Sequence, residues 1–431
     1  KIMQKYKNKE IKKEKIYKNN ELEDMKRLKM YNLKIFPKNK LLYASIIMII
    51  IYSHLSFVIN KSLKRRLYFL CEILLTINGT GEQYILGVYP QHVFNHTPSV
   101  LFVNGEENHN FLNNKISGLT EQINNITLKW NYLFDNCEYM FFGLSNIINI
   151  DLSNFDSSKV TKMLKMFQDC TSLTSINLKN MDTSSVEDMR NIFVNCKKLK
   201  SIDVSDFNTK SATKMSSMFY GCSSLTSLNL SNFDTSKTVL MNAMFQGCTS
   251  LVSLDLNNFN TIIVTDMSSM FKECKSLKIL KIDNFRTSSV TNMQRMFSSC
   301  RELISINITN FDTHLVQDME QMFFNCKLLK TLDFSNFNTS LVTSMYRMFG
   351  GCSQLIYLNL STFKTSSVQN MIQMFNNCKS IISLNIDNFD TSNVNNMFGM
   401  FCNCSSLISL NLNNFNTSLV TNMSFMFYEC N

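Results

Sequence analysis

Asn284 to Cys300 read NFRTSSVTNMQRMFSSC. Twenty-six residues further on, Asn310 to Cys326 read NFDTHLVQDMEQMFFNC, and after another twenty-six Asn336 to Cys352 read NFNTSLVTSMYRMFGGC. The closing cysteine marks the beat. It stands at Cys170, Cys196, Cys222, Cys248, Cys274, Cys300, Cys326, Cys352, Cys378, Cys404 and Cys430, 26 residues apart each time and without insertion. A fixed period of 20–29 residues is the mark of a stacked repeat in which no unit closes a core by itself.

With the cysteine as position 1, the unit reads C-x-x-L-x-x-L-x-L-x-x-F-x-T-x-x-V-x-x-M-x-x-M-F. Position 24 is phenylalanine in all twelve copies from Phe141 to Phe427, and Leu144 takes the cysteine position at the start of the array. Positions 7 and 9 are apolar between polar neighbours, a period of two that predicts a short half-buried strand. Positions 17, 20, 23, 24 and the next cysteine fall at helical spacing and predict a short helix with one apolar stripe. Thr at position 14, from Thr183 to Thr417, sits where a hydroxyl caps a first helical turn. The expected fold is α/β: a right-handed leucine-rich-repeat-type solenoid over 137–431, with a parallel sheet on one face and short helices on the other. At about 4.8 Å per step the array spans roughly 50 Å.

The signature SLxSLxLSNFDTSxVTxMxxMFxxC resembles that of BspA-like leucine-rich-repeat surface proteins. TINGTGEQYILG and PSVLFVNG also look like the leader that precedes such arrays. The resemblance implies a secreted or cell-surface protein acting in adhesion and recognition, and it brings no catalytic residues. Ala212 and Thr238 depart from the pattern at the valine, and Arg286 and Lys364 depart from it at the Asp or Asn before the threonine.

Ahead of the array, 67–136 carries the turn signals Asn78-Gly79, Gly81 and Asn104-Gly105 between β-forming residues, which predict a small β-rich cap that docks on the first repeat. Leu41 to Ile59 is an uncharged run of nineteen residues, the length of a signal peptide or a signal-anchor helix, with a buried helix of a soluble domain as the bland alternative. It follows a basic segment, 1–40, that is disordered or lies outside the natural start; Met30 makes a sensible first residue. The chain stops at Cys430-Asn431 on the first beat of a unit, and the expectation is that the native protein continues.

Of the formal net charge of +10, residues 1–40 carry +9, and the chain from Leu67 onward carries −3. The basicity therefore does not lie on the folded body, where phosphate binding would need it, and nucleic acid is not an expected partner. No paired CxxC, HExxH, GxSxG or phosphate-loop motif appears, so neither an enzyme, a metal site nor a cofactor is expected. The ladder cysteines read as small buried hydrophobes. Cys71, Cys137 and Cys402 lie off the ladder and are expected to be more reactive. Asn78, Asn95 and Asn125 head glycosylation sequons, which matter only in a secretory pathway.

Binding is expected at positions 6, 8 and 10, which face outward from the sheet. Position 6 is mostly serine and position 8 mostly Asn or Asp. Specificity would sit where the pattern breaks, at Ile279, Lys281, Thr331 and Tyr357, with Asp255 and Asp283 beside Lys281. The expected partner is a protein or other extracellular macromolecule, with the membrane added if 41–59 is retained. The rival reading is an intracellular repeat scaffold, which the localisation of a tagged chain separates from adhesion.

Overall fold

A computed structural model describes residues 69–89 and 92–430. The expectations for 1–40 and 41–59 fall outside the described residues. From Phe69 onward the chain is one compact unit.

The leader begins with the strand Cys71–Asn78, where Cys71, Ile73, Leu75 and Ile77 are buried in strict alternation. This strand pairs antiparallel with Ile123–Trp130 on one side and with Ile147–Asp151 on the other. Ile147–Asp151 is the first strand of the array and pairs in parallel with Ser175–Asn177. The leader thus covers an edge that would otherwise stand open. Gly87 lies at this junction: its N–H donates to the Met140 carbonyl at 2.7 Å. A Cβ there would sit 1.9 Å from the Tyr139 carbonyl oxygen.

Within the array the units stack in parallel register. Strand pairs form at positions 6–8, between Ser253–Asp255 and Ile279–Lys281 and between Tyr357–Asn359 and Ser383–Asn385. A second ladder, not anticipated from the sequence, runs through position 19 without a gap from Asn136 to Asn422. The geometry is that of a stack of repeats in parallel register.

The predicted helices are absent: the described residues contain no helix. Positions 20–27 form overlapping turns instead. In the unit that starts at Cys196, Met218 N–H donates to the Met215 carbonyl, Tyr220 to Ser217 and Cys222 to Phe219. The alternate N–H groups go to the next unit, as Met189 to Lys214, Asn191 to Ser216, Phe193 to Met218 and Asn195 to Tyr220. Positions 22 and 26 are left-handed, as at Lys165 (φ 58°), Asn191 (φ 60°) and Asn195 (φ 57°). A left-handed residue ends an α-helix and strains any residue but glycine by about 1–2 kcal/mol. The bonds to the neighbouring unit offset that strain. An apolar spacing of three residues fits this ribbon of turns as well as it fits a helix, which is why the periodicity misled.

The threonines do not cap helices either. Thr287 Oγ1 accepts from the Asp312 N–H at 2.8 Å and donates to the Asp312 carbonyl at 2.7 Å. The same reciprocal clasp joins Thr183 to Asn208, Thr209 to Asp234 and Thr391 to Asn416. Thr183, Thr209, Thr287 and Thr391 are all buried, where a hydroxyl must find partners.

Two further columns form the core. The position-24 rings stack without a break from Phe141 to Phe427, with centroids 5.3 to 6.0 Å apart. Beside them each ladder thiol donates to the carbonyl of a phenylalanine 29 residues earlier, as Cys300 Sγ to Phe271 O at 3.1 Å. All fourteen cysteines are free thiols. Burial pushes the thiols of Cys222, Cys274 and Cys352 up to about 12. Against the expectation of reactivity, Cys71 and Cys137 are also fully buried and their pKa values raised, because they fill the junction of leader and first repeat. Cys402 alone of the three is partly exposed.

Candidate functional site

The outward columns are built on Asx turns. The side-chain oxygen at position 8 accepts the N–H two residues on, as Asp203 from Ser205 at 3.0 Å, Asp255 from Asn257 at 3.1 Å and Asn359 from Ser361 at 3.1 Å. Positions 13 and 19 do the same, as Asp182 for Ser184 and Asp266 for Ser268. Up to three such turns per unit account for much of the Asn and Asp content, since these side chains mimic a backbone turn. Much of the polar regularity is therefore structural.

Lys281 is the exception at position 8. It offers no acceptor, and the Asp283 N–H turns instead to Asn257 Oδ1 in the preceding unit at 2.9 Å. Lys281 Nζ reaches back to Asp255 Oδ2 at 2.9 Å. That contact holds the Asp255 carboxyl below its usual range and raises Lys281. Amide hydrogen bonds from Asn307 and then Asn257 depress Asp283. The structure brings Asp255, Ile279, Lys281 and Asp283 together on two adjacent rungs. Thr331 and Tyr357 stand two and three rungs beyond Ile279 in the position-6 column, roughly 10 and 14 Å along the stack. Ile279 is 57% exposed and Tyr357 51%.

Sequence reasoning missed position 5. Val252, Ile304, Ile356, Ile382 and Ile408 are exposed there. A strict period of two would have turned them inward with positions 7 and 9. From Ser175 onward the strands of the array begin only at position 6, so position 5 lies outside the alternation and its side chain is exposed. The recurrence of Ile or Val at this position was a readable signal.

On the same face, Ser201, Asp203, Ser227, Asn229, Ser253 and Asp255 line an open groove of 640 Å³. Asn78, Asn95 and Asn125 are exposed on the leader. Asn125 Oδ1 accepts from Thr76 Oγ1 at 3.0 Å, and Asn78 Oδ1 accepts from Gln122. Among the described residues no three His, Cys, Asp or Glu side chains gather as metal ligands would. Among the described residues no helix is long and apolar enough to cross a membrane.

No curated protein matches the chain. Among solved structures, a leucine-rich repeat protein from Bacteroides ovatus ATCC 8483 is 21% identical, with a TM-score of 0.32, over 65% of this chain and 76% of that one. A TLR13–ssRNA13 complex is 16% identical, with a TM-score of 0.19, over 60% of this chain and 42% of that one. Superpositions this distant carry no argument about fold or ligand. A family profile matches in overlapping stretches at residues 111–228, 135–253, 194–304, 266–382 and 343–431, the whole array and the end of the leader. The chain belongs to the family described as Mycoplasma protein of unknown function, DUF285.

Proposed function

We propose that the protein is a non-catalytic recognition module of the BspA-like kind, displayed at the cell surface or secreted, that adheres to macromolecular partners through the outward columns of its repeat stack. One observation carries this reading. A rigid face of small polar side chains is interrupted by exposed Ile279 and Tyr357, with the Lys281–Asp255 pair beside the former. A large aromatic or aliphatic side chain raised from a polar field is the usual form of an anchoring contact. The position-5 Ile and Val residues widen the apolar contact.

Two measurements test it. Surface labelling of intact cells should reach a tagged full-length chain; residence in the cytosol would overturn the surface reading and favour an intracellular scaffold. The purified chain, once a binding partner from the cell exterior is found, should lose affinity about tenfold or more with Tyr357→Ala or Ile279→Ser. Undiminished binding by Ile279→Ser, Lys281→Ala and Tyr357→Ala would remove the outward columns from the function.

A further inference from the structure

A second groove, of 480 Å³, is cut into the overlapping turns at positions 22, 25, 26 and 2, columns separate from the outward face. Lys327, Arg347 and Lys379 line it together with Ser353, Asn377 and Gly351, and no carboxylate is among the lining residues. In one other unit the charge in these columns is compensated: Lys275 at position 2 and Lys272 at position 25 lie 3.7 and 4.0 Å from Glu273 at position 26. In the three units around the groove, position 26 is Asn325, Gly351 and Asn377. Among the described residues Lys327, Arg347 and Lys379 make no ion pair. Three uncompensated cations thus converge on a body whose net charge from Leu67 onward is −3.

Arg347 is held in place. Its guanidinium carbon lies 5.6 Å from the ring centroid of Phe324 and 5.1 Å from that of Tyr346. Its Nε donates to Gln373 Oε1 at 2.7 Å. Stacking and that one bond fix the plane of the group and leave both terminal nitrogens free to act as a fork. A planar, pre-oriented guanidinium loses little freedom on gripping two oxygens of an anion. Lys327 and Lys379 stand two rungs apart, about 10 Å at the backbone, with Ser353 between them, so their long side chains can close on one anion from both sides.

We propose that this groove binds a tetrahedral oxyanion, the sulfate or phosphate monoester of a ligand, with Arg347 as the bidentate donor and Lys327 and Lys379 as flanking charges. A guanidinium fork flanked by two ammonium groups matches the three terminal oxygens of a phosphate or sulfate monoester better than the two of a carboxylate. Calorimetry on the full chain in low salt would use glucose 6-phosphate and glucose 6-sulfate, with glucose and acetate as controls. Either ester should bind, the stronger of the two naming the source, while glucose and acetate should not. Arg347→Lys keeps the charge and loses the fork, and should weaken binding about tenfold. Lys327→Gln and Lys379→Gln should each weaken binding and flatten its salt dependence. Tyr357→Ala should leave it unchanged, which separates this site from the outward columns. Because the two lysines are exposed, their variants test the site even if Arg347→Lys disturbs packing. Failure of both esters to bind, acetate binding equally well, or affinity unmoved in the lysine variants would overturn the proposal.

Discussion

The reciprocal clasp at Thr287 can be tested against the capping role that the sequence suggested. Thr287→Val is close to isosteric, so packing is kept and only the hydroxyl is lost. The Asp312 N–H and carbonyl, which now meet Thr287 Oγ1 at 2.8 and 2.7 Å, would be left without their partner at a part-buried interface. An unmade buried donor costs about 1–3 kcal/mol, and the carbonyl adds to it, so about 2–4 kcal/mol is expected at this interface. Thr287→Ser keeps both hydrogen bonds and gives up one buried methyl, about 1 kcal/mol. Valine should therefore be the worse substitution, although it fills the space better. Units of a stack can open locally, so hydrogen exchange reads the effect better than a global midpoint. The Asp312 amide should exchange some tens to hundreds of times faster in Thr287→Val, at about tenfold per 1.4 kcal/mol, and far less so in Thr287→Ser. If Ser and Val were equally disruptive, or Val the milder, the hydroxyl would not be what joins the two units.

Phe297 is gripped between Phe271 at 5.6 Å and Phe323 at 5.4 Å, so Phe297→Ala should destabilise the central units by about 3–5 kcal/mol, seen as early urea unfolding of the array. Gly87→Ala should loosen the leader from the first repeat, because the new Cβ would fall 1.9 Å from a backbone oxygen that cannot swing aside; protection of the Cys71–Asn78 amides is the readout, and undiminished protection would contradict the close approach. The buried thiols give a pH dependence of known sign. In the folded chain Cys222, Cys274 and Cys352 hold their protons to about 12, whereas the ordinary thiol value is 9.0. The folded state therefore binds more protons in between, and stability is complete below pH 9 and falls as pH climbs towards 12. A urea midpoint that stayed level to pH 11 would contradict a buried, protonated ladder.

The sequence by itself determined the period, the register and the buried columns. Identical units of equal length can stack only with equivalent positions superposed, so one cysteine, one phenylalanine and one threonine per unit become ladders without reference to coordinates. The alternation at positions 7 and 9 likewise placed the strand, and the breaks at Ile279, Lys281 and Tyr357 were visible as breaks. What only the tertiary structure decided was where the backbone hydrogen bonds go. A helix satisfies its N–H groups within one segment, so helical spacing at positions 17 to 27 was read as a helix. In the stack, the donors at positions 20, 22, 24 and 26 reach carbonyls 25 residues on, partners that exist only once the neighbouring unit is in place, and the chain takes overlapping turns with left-handed residues at Lys165, Asn191 and Asn195. For the same reason Thr287 became a clasp between units, and Asp283 found Asn257 where Lys281 left its turn without an acceptor. The groove of Lys327, Arg347 and Lys379 was equally out of reach of the linear pattern, because it depends on which residues of successive units face each other, and that is settled by the stacking.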